Sequence, residues 1–297
     1  MGSADRNVYA LDRQTGEVKW SYETGGDIFS SPAVVDGVVY IGSYDGNIYA
    51  LDGKTGKVIW SYSTGNQVEV RSSPAVVDGI VYVGSHDYSV YALEAATGKL
   101  VWSFKTRSLV SSSPVVIDGV VYIGSWDNTV YALRARTGER IWSYSTEGPV
   151  FSSPALADGM LYIGSDDGKF YALDAKTGSL RWSFKTGAEV RCSPGVADGV
   201  VYVGSYDNKF YALDARTGKP LWSYETGHWI RSSPAIANGV VYFGSFDGKF
   251  YALDVKTGGL LWQYETGSAV SAAPAVVRGM VYITSWDDYV YAFGPEE

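Results

Sequence analysis

The chain contains 297 residues and carries a formal net charge of −8 at pH 7, with a pI near 4.9. This acidic balance excludes a general nucleic-acid binder, because phosphate groups are neutralised by a basic face. With 46% hydrophobic and 19% charged residues, the composition is that of a globular protein, and no apolar stretch approaches the length of a membrane helix. The single cysteine, Cys192, allows neither an internal disulfide nor a thiolate zinc cluster.

The N-terminal stretch MGSADRNVYA lacks the basic run and apolar run that mark a secretory signal. The sequence therefore predicts no signal peptide and no transmembrane segment in these residues. It leaves the cellular compartment unassigned.

The tripeptide Tyr-Ala-Leu recurs along almost the whole chain, at intervals of 40 residues with one interval of 42 residues. Each unit lacks a helical period and holds four short runs rich in Val, Ile, Tyr and Trp, separated by Asp-Gly or Thr-Gly pairs. Four antiparallel strands in about 40 residues are typical of one blade of a β-propeller. The tripeptide begins at Tyr9, Tyr49, Tyr91, Tyr131, Tyr171, Tyr211 and Tyr251, and a variant begins at Tyr291.

In chain order, the predicted strands form a partial unit, six complete units and a second partial unit. We name the strands of a unit a to d; in the first complete unit they are SSPAVV, VVYIGS, NIYAL and KVIWSY. Asp36-Gly37 joins strands a and b and predicts a type I′ hairpin, because both residues tolerate positive φ. The complete units cover residues 30–65, 72–107, 112–147, 152–187, 192–227 and 232–267, and the partial c–d and a–b–c pieces cover residues 8–23 and 270–293.

The strand count predicts an all-β fold in which residues 1–297 form one domain, a seven-bladed β-propeller of four-stranded antiparallel blades. We expect the N-terminal strand d to complete the last blade, because this would cover blade faces that otherwise stay exposed. One strand c is then left over, either residues 8–11 or residues 290–293. A swapped strand and an incomplete eighth blade stay open as alternatives.

The segment ALDARTGKPLW, residues 212–222, resembles the tryptophan-docking motif of the PQQ-like (quinoprotein-type) propeller repeat. The resemblance extends over essentially the whole chain and implies that each strand-d indole docks on a neighbouring blade. In the motif, Asp and Thr can bond the turn backbone and Gly takes positive φ. Glu94 and Arg134 replace the motif Asp, so we expect looser turns there. The structural docking residues are Trp20, Trp60, Trp102, Trp142, Trp182, Trp222 and Trp262.

The residue three positions before the proline of each strand a varies, although the residues after it are nearly constant. We call its occupant the entry residue and expect it at the top face, where the d–a and b–c connections emerge. Because side chains alternate along a strand, the apolar residue before it should pack between blades. Arginine at this position suits bidentate contact with a carboxylate or phosphate. The entry residues are Phe29, Arg71, Ser111, Phe151, Arg191, Arg231 and Ser271.

The b–c connections also vary at one position, whose occupant we call the turn residue. These residues and the d–a connections predict a ligand site in a top-face funnel, with arginines as anion contacts and aromatic side chains as apolar or stacking contacts. The turn residues are Tyr44, His86, Trp126, Asp166, Tyr206, Phe246 and Trp286. The predicted ligand-binding residues are Arg71, Arg191, Arg231, Trp126, Trp229, Trp286, His86 and His228.

Less specific interpretations of the same residues stay open. Top loops are the least constrained part of a repeat protein, so rare residues accumulate there without a ligand. Glu69 and Glu189 stand two residues before Arg71 and Arg191 and can pair with them. The aromatic residues can fill the rim between blades. The Asp of each b–c connection is expected to form the turn rather than to bind a metal ion.

The sequence predicts no catalytic residue, no metal ligand and no cofactor. The PQQ dehydrogenases that the repeat resembles hold PQQ under a disulfide between adjacent cysteines and beside a calcium ion. This chain has one cysteine, so PQQ-dependent dehydrogenase activity is not supported. The sequence favours a buried, inert Cys192 thiol over a Cys192–His228 nucleophile pair. His86 and His228 have no metal-ligand spacing.

The predicted function is that of a non-catalytic binding or scaffolding module. Its expected partner is a protein, a peptide or an anionic small molecule at the top face. The chain resembles the non-enzymatic scaffold members of the repeat class, such as the propeller of the bacterial outer-membrane assembly machine, which is compatible with an extracytoplasmic location. Two alternatives stay open: an enzyme that uses the same funnel on an anionic or carbohydrate substrate, and an engineered or recently amplified repeat without an evolved ligand.

Overall fold

The computed structural model describes residues 1–65 and 68–294. These residues form 29 β-strands and no α-helix, so they contain no helix that could span a membrane. The chain divides into two compact units: Met1–Ser145 with Pro149–Phe151, and Thr146–Gly148 with the chain from Ser152 onward. The predicted all-β, seven-bladed propeller is confirmed.

The first unit contains an N-terminal hairpin and blades one to three, each blade a four-stranded antiparallel sheet in the order a, b, c, d. The hairpin strands are β1 (Asn7–Leu11) and β2 (Val18–Glu23). The blade strands are β3 (Ala33–Val35), β4 (Val38–Gly42), β5 (Asn47–Asp52), β6 (Val58–Ser63), β7 (Ala75–Val77), β8 (Ile80–Gly84), β9 (Ser89–Glu94), β10 (Leu100–Lys105), β11 (Val115–Ile117), β12 (Val120–Ser125), β13 (Thr129–Arg134) and β14 (Arg140–Ser145).

The second unit contains blades four to six, with the same strand order, and a three-stranded blade seven. Their strands are β15 (Ala155–Ala157), β16 (Met160–Gly164), β17 (Lys169–Asp174), β18 (Leu180–Lys185), β19 (Gly195–Ala197), β20 (Val200–Gly204), β21 (Lys209–Asp214), β22 (Pro220–Glu225), β23 (Ala235–Ala237), β24 (Val240–Gly244), β25 (Lys249–Asp254), β26 (Leu260–Glu265), β27 (Ala275–Val277), β28 (Met280–Thr284) and β29 (Val290–Phe293).

The a–b turns have the backbone that the Asp-Gly pairs predict. In blade one, Asp36 has φ of 50° and Gly37 has φ of 77°. Both values are positive, as a type I′ turn requires, and the turn joins Val35 directly to Val38 across the ladder. The twist of this turn matches that of the strands, so the hairpin forms from local sequence alone.

Strand a is shorter than the sequence predicts, because the serine-proline step lies outside the ladder. Strand β3 begins at Ala33, although the predicted strand begins at Ser30. Pro32 has no N–H to donate to a neighbouring strand. The N–H of Ser31 instead donates to Ser73 Oγ of blade two at 2.9 Å. The entry residues therefore stand in the d–a connections, before strand a.

The apolar residues that precede the entry residues pack between blades, as predicted. All seven are buried, and Val70 has no exposed surface. A Cβ atom on Gly42 of blade one would lie 2.5 Å from a Val70 methyl carbon, so only glycine leaves room for this contact. The seven residues are Ile28, Val70, Val110, Val150, Val190, Ile230 and Val270.

Within each unit, strand-d tryptophans bond to the following blade. In the c–d ladder of blade one, Trp60 lies opposite Ala50, and its indole N–H donates to the Ala95 carbonyl oxygen of blade two at 2.8 Å. A Cβ atom on Gly98 would lie 2.7 Å from the indole ring, so the Thr-Gly glycine receives the ring. Equivalent bonds are made by Trp20 to Gly53, Trp102 to Ala135, Trp182 to Ala215 and Trp222 to Val255.

Two departures from the motif do not loosen their turns. Gly98 N–H bonds the Glu94 carbonyl oxygen at 2.8 Å, and Gly138 N–H bonds the Arg134 carbonyl oxygen at 2.8 Å. Asp52 of blade one closes its turn with the same bond to Gly56 at 2.8 Å. The backbone bond therefore fixes the turn whichever side chain occupies the motif position, and the expectation of looser turns was wrong.

The predicted addition of the N-terminal strand d to the last blade is not confirmed. Strand β2 pairs with β1, and among residues 1–65 and 68–294 the one strand that pairs with β29 is β28. The loop between β1 and β2 is short, which makes their pairing inexpensive in chain entropy. Strand β2 therefore pairs with the strand c that directly precedes it in the chain. Val8 and Trp20 of the hairpin pack against blade one, in the same position that each blade takes against the next. Gly2 also pairs with Val8, as Gly42 pairs with Ile48 in blade one.

Candidate functional site

The entry and turn residues contact each other across adjoining blades. A turn residue of one blade touches the entry residue of the next blade in four places within the two units. The contacts join Tyr44 to Arg71, His86 to Ser111, Trp126 to Phe151, and Asp166 to Arg191. The two variable positions are therefore in contact across adjoining blades at these four places.

In the first unit, the Arg71 guanidinium is engaged by neighbouring side chains. Its Nε donates to the Tyr44 hydroxyl, and its guanidinium carbon lies 5.1 Å from the centre of the Tyr44 ring. The same Nε lies 3.4 Å from Glu69 Oε2, the acidic residue that the sequence offered as its partner. The guanidinium also lies 5.6 Å from the Phe29 ring centre. The charge of Arg71 is thus already compensated by protein groups.

Arg191 forms a bidentate pair with Asp166 in the second unit. Arg191 Nε and one terminal nitrogen donate to the two carboxylate oxygens at 2.9 and 2.8 Å. The sequence offered Glu189 as the partner, but the turn residue of the preceding blade takes that role. Burial raises the pKa of the Asp166 carboxyl above its ordinary value, an effect that the facing guanidinium only partly offsets. Arg191 is therefore committed to an internal contact.

Arg231 differs from the other two arginines because it is exposed and makes no hydrogen bond or ion pair within residues 1–65 and 68–294. The residue two positions before it explains the difference. Blade two has Glu69 there, whereas blade six has Trp229. Trp229 stacks on the turn residue Tyr206, with ring centres 5.0 Å apart and planes 6° apart. The tyrosine face is thus occupied by an indole, and the guanidinium stays in solvent.

Trp229 belongs to a cluster of aromatic side chains in blades five to seven, which we call the aromatic patch. Ring centres lie 6.2 Å apart for Trp229 and Phe246, and 5.4 Å apart for Phe246 and Trp286. Trp229 and Trp286 are 44% and 57% exposed, which is unusual for tryptophan and leaves apolar surface open to solvent. The aromatic patch consists of Tyr206, His228, Trp229, Phe246 and Trp286.

The two histidines have opposite environments. His228 is exposed at the aromatic patch, and its Nδ1 accepts the Trp229 N–H at 2.8 Å. His86 is buried in the first unit, where its Nε2 lies 2.7 Å from Ser111 Oγ and its Nδ1 lies 3.2 Å from Glu69 Oε2. Burial, and after it the Arg71 guanidinium, lowers the pKa of His86 to about 4. The ring is therefore neutral at pH 7.

Trp126 lies beside His86 rather than in the aromatic patch. Its ring centre is 5.8 Å from the His86 ring and 4.0 Å from the Phe151 ring. Its indole N–H is buried and has no hydrogen-bond partner in the part of the chain that the structure describes. A buried donor without an acceptor is uncommon in native proteins.

Cys192 is buried and inert, as the sequence favoured. Its thiol accepts the Gly204 N–H at 3.1 Å, and burial raises its pKa to about 12. The free cysteine is thus held as a thiol, which is a poor nucleophile. No contact joins it to the exposed His228 among the described residues.

The aspartates of the b–c connections form turns, in agreement with the prediction. Asp45 Oδ1 accepts the Asn47 N–H at 2.9 Å, and its Oδ2 accepts the Tyr49 hydroxyl at 2.7 Å and the Gly25 N–H at 2.8 Å. These bonds tie the turn to strand c and to the preceding d–a connection. Asp207 and Asp247 make the same three bonds.

The residues present do not fit PQQ. The chain has one cysteine, so it cannot form a disulfide between adjacent cysteines. Residues 1–65 and 68–294 contain no group of three or more His, Cys, Asp or Glu side chains that could hold a metal ion. We therefore derive no chemistry from that cofactor.

The repeat, the docked tryptophans and the four-stranded blades define a class, the tryptophan-docked β-propellers. Residues 1–161 match the sequence profile described as the β-propeller of beta-alanine-activating enzyme, and residues 127–293 match that of outer membrane protein assembly factor BamB. The chain belongs to the PQQ-like β-propeller family. No curated protein is similar enough in sequence to count as a relative.

Solved structures with the same fold have diverse roles. BamB from Moraxella catarrhalis is 21% identical, with a TM-score of 0.84 over 98% of this chain and 91% of that one. The computationally designed Ika8 protein is 23% identical, with a TM-score of 0.88 over 99% of this chain and 92% of that one. A europium-containing methanol dehydrogenase is 18% identical, with a TM-score of 0.80 over 96% of this chain and 78% of that one. At these identities the similarity shows the fold alone.

Proposed function

We propose that the chain is a binding or scaffolding module that takes up an acidic, aromatic-containing segment of a partner protein at the aromatic patch and Arg231. The observation that supports this most directly is the state of Arg231, the one of the three entry arginines without an internal partner among the described residues. An exposed guanidinium can bind a carboxylate bidentately without breaking an existing pair.

The surface beside Arg231 favours a peptide over a small anion. Trp229 and Arg231 flank the buried Ile230 in the same d–a connection, and both side chains are exposed. The exposed faces of Trp229 and Trp286 offer apolar area, and tryptophan and arginine are the residue types that dominate binding energy at protein interfaces. The assembly-factor description of one matching profile is consistent with a protein partner.

A titration followed by calorimetry tests the proposal. The probe is a short peptide that alternates Asp and Phe, and the control peptide has Lys in place of Asp. We expect the acidic peptide to bind and the basic peptide to bind at least about tenfold more weakly, since the guanidinium distinguishes the two charges. Arg231→Ala and Trp229→Ala should each weaken the binding of the acidic peptide at least about tenfold.

The matched control is Arg216→Ala, which removes an exposed arginine from the c–d turn of blade five. It should leave the affinity within about twofold, because the net charge changes equally but the patch is intact. Equal losses for Arg216→Ala and Arg231→Ala, or no preference for the acidic peptide, would contradict the proposed site. Binding of inorganic phosphate that competes with the peptide would indicate a general anion site instead.

A further inference from the structure

The first unit contains a second candidate site. Ser111, His86 and Glu69 form a chain of contacts: Ser111 Oγ to His86 Nε2 at 2.7 Å, and His86 Nδ1 to Glu69 Oε2 at 3.2 Å. From this geometry we propose that Ser111 is an acyl-accepting nucleophile with His86 as its general base and Glu69 as the positioning residue, acting on carboxylic esters. Sequence reasoning missed this set because the three residues come from different connections.

The three residues supply the groups that an activated serine needs: the nucleophile, its general base and a group that orients the base. With the proton on Nδ1, which faces the Glu69 carboxylate oxygen at 3.2 Å, Nε2 is the acceptor that faces Ser111. A nucleophile bonded to a base, which is in turn oriented by a third group, is the recurrent signature of nucleophilic catalysis on unrelated folds. Ser111 is partly exposed, whereas His86 is buried, so a substrate can reach the hydroxyl but not the ring behind it.

Two donors near Ser111 have no acceptor. The indole N–H of Trp126 is buried without a partner in the described part of the chain, and the Trp126 ring centre lies 5.8 Å from the His86 ring centre. The main-chain N–H of Ser112, the residue after the nucleophile, makes no hydrogen bond in the described part of the chain. Unpaired donors of these kinds stabilise the oxyanion of an acyl-transfer intermediate in hydrolases. Blade seven shows the contrasting arrangement, in which Trp286 N–H donates to Ser271 Oγ at 2.9 Å.

The reaction balances with water as the only co-reactant. Ser111 Oγ bonds the ester carbonyl carbon, its proton passes to His86 Nε2, and the bond to the alcohol oxygen breaks as that oxygen takes the proton from Nε2. Water then attacks the acyl-serine by the same route, which releases the carboxylic acid and restores the serine. The imidazolium that forms in each step faces the Glu69 carboxylate. The lowered pKa of His86 keeps the base neutral at pH 7 but makes it weak, so turnover should be slow.

The test is covalent labelling with a fluorophosphonate, in which Ser Oγ bonds phosphorus and fluoride leaves, followed by peptide mass mapping. Ser271 is the matched control, since it is also an entry residue but contacts no histidine among the described residues. We expect Ser111 to be labelled at least about tenfold faster than Ser271, and Glu69→Gln and His86→Gln each to slow the labelling of Ser111 at least about tenfold. Hydrolysis of p-nitrophenyl acetate should fall in parallel and be absent in Ser111→Ala.

Labelling of Ser111 no faster than of Ser271 would overturn the proposal, and so would an unchanged rate in Glu69→Gln. The exposed fraction of the Glu69 side chain is 40%, so this variant tests the base without a large change in packing. Circular dichroism and thermal unfolding of each variant establish that lost labelling is not lost folding. The outcome is independent of peptide binding at the aromatic patch.

Discussion

Asp166 of blade four accepts two hydrogen bonds from Arg191 of blade five, at 2.8 and 2.9 Å, and so joins the two variable positions of adjoining blades. Three further pairs of turn and entry residues are in contact in the same way. The variable residues of this repeat therefore serve first to match neighbouring blades. A residue becomes available to a ligand where this match is replaced, as it is at Arg231.

Arg191→Ala should destabilise the protein, because it leaves the nearly buried Asp166 carboxyl without its partner. The Asp166 side chain is 11% exposed, so we expect a loss of about 2 kcal/mol in the free energy of unfolding. Arg181→Ala is the control, since Arg181 also pairs with an aspartate at 2.6 Å but is 56% exposed. It should cost less than about 1 kcal/mol. Urea unfolding measures both, and equal losses would argue against the pairing of Asp166 and Arg191.

A glycine of the docking motif should be more sensitive than a glycine of an a–b turn. Gly138 and Gly119 have φ of 72° and 74°, but a Cβ atom would lie 2.7 Å from the Trp102 ring at Gly138 and within 4 Å of nothing at Gly119. Gly119→Ala should cost about 1 kcal/mol for its backbone alone. Gly138→Ala should cost about 1–3 kcal/mol more, because the indole must shift. Similar midpoints in thermal unfolding for the two variants would contradict tryptophan docking.

Cys192 should resist alkylation in the folded protein. Burial raises its pKa to about 12, so almost no thiolate exists at pH 8. Iodoacetamide should modify the native protein at least about 100-fold more slowly than the urea-unfolded chain, as measured by intact mass. A native rate close to the unfolded rate would show that the thiol is accessible and reopen its role as a nucleophile.

His86 should make the protein less stable as the pH falls. Its pKa is lowered from 6.5 in the unfolded chain to about 4 in the fold, so between these values the unfolded chain binds a proton that the folded protein does not. The free energy of unfolding should therefore decrease from pH 6.5 toward pH 4, and this group should contribute no pH dependence above pH 7. Allowing for solvent screening, the effect is on the order of 1 kcal/mol.

The comparison between two histidine variants isolates that contribution from the carboxyl groups, which also titrate in this range. His86→Gln should flatten the stability profile between pH 6.5 and pH 4, and His228→Gln, at an exposed position, is the control for the loss of a histidine. Profiles of equal slope for wild type and His86→Gln would contradict the buried, neutral state of His86.

The fold could be predicted from sequence because its determinants are local. The Asp36-Gly37 pair forms its hairpin without help from distant residues, and the Ala-x-Asp-x-x-Thr-Gly-x-x-x-Trp pattern places Trp60 opposite Ala50 and next to the turn of the following blade. Because these signals recur seven times along the chain, they predict a single architecture, the seven-bladed β-propeller. The closing strand could not be predicted, because two equivalent c strands compete and the local hairpin of β1 and β2 is formed.

The candidate site could be predicted only in outline. Arg71, Arg191 and Arg231 occupy equivalent positions, but their availability depends on side chains that are 25 or 27 residues before them in the sequence, or two residues before them. The sequence contained one usable signal, which is that Glu69 and Glu189 precede two of the arginines and Trp229 precedes the third. That signal indicated that Arg71 is paired, but it named the wrong acid for Arg191.

The most direct test compares the affinity of one acidic peptide for Arg231→Ala and for Arg71→Ala, with both proteins shown to be folded. The two substitutions remove the same charge from equivalent positions, but the Arg71 guanidinium is already engaged by Tyr44 and Glu69, whereas Arg231 has no partner among the described residues. We predict that Arg231→Ala weakens binding at least about tenfold and that Arg71→Ala changes it by less than about twofold. Equal losses, or a larger loss for Arg71→Ala, would contradict the account.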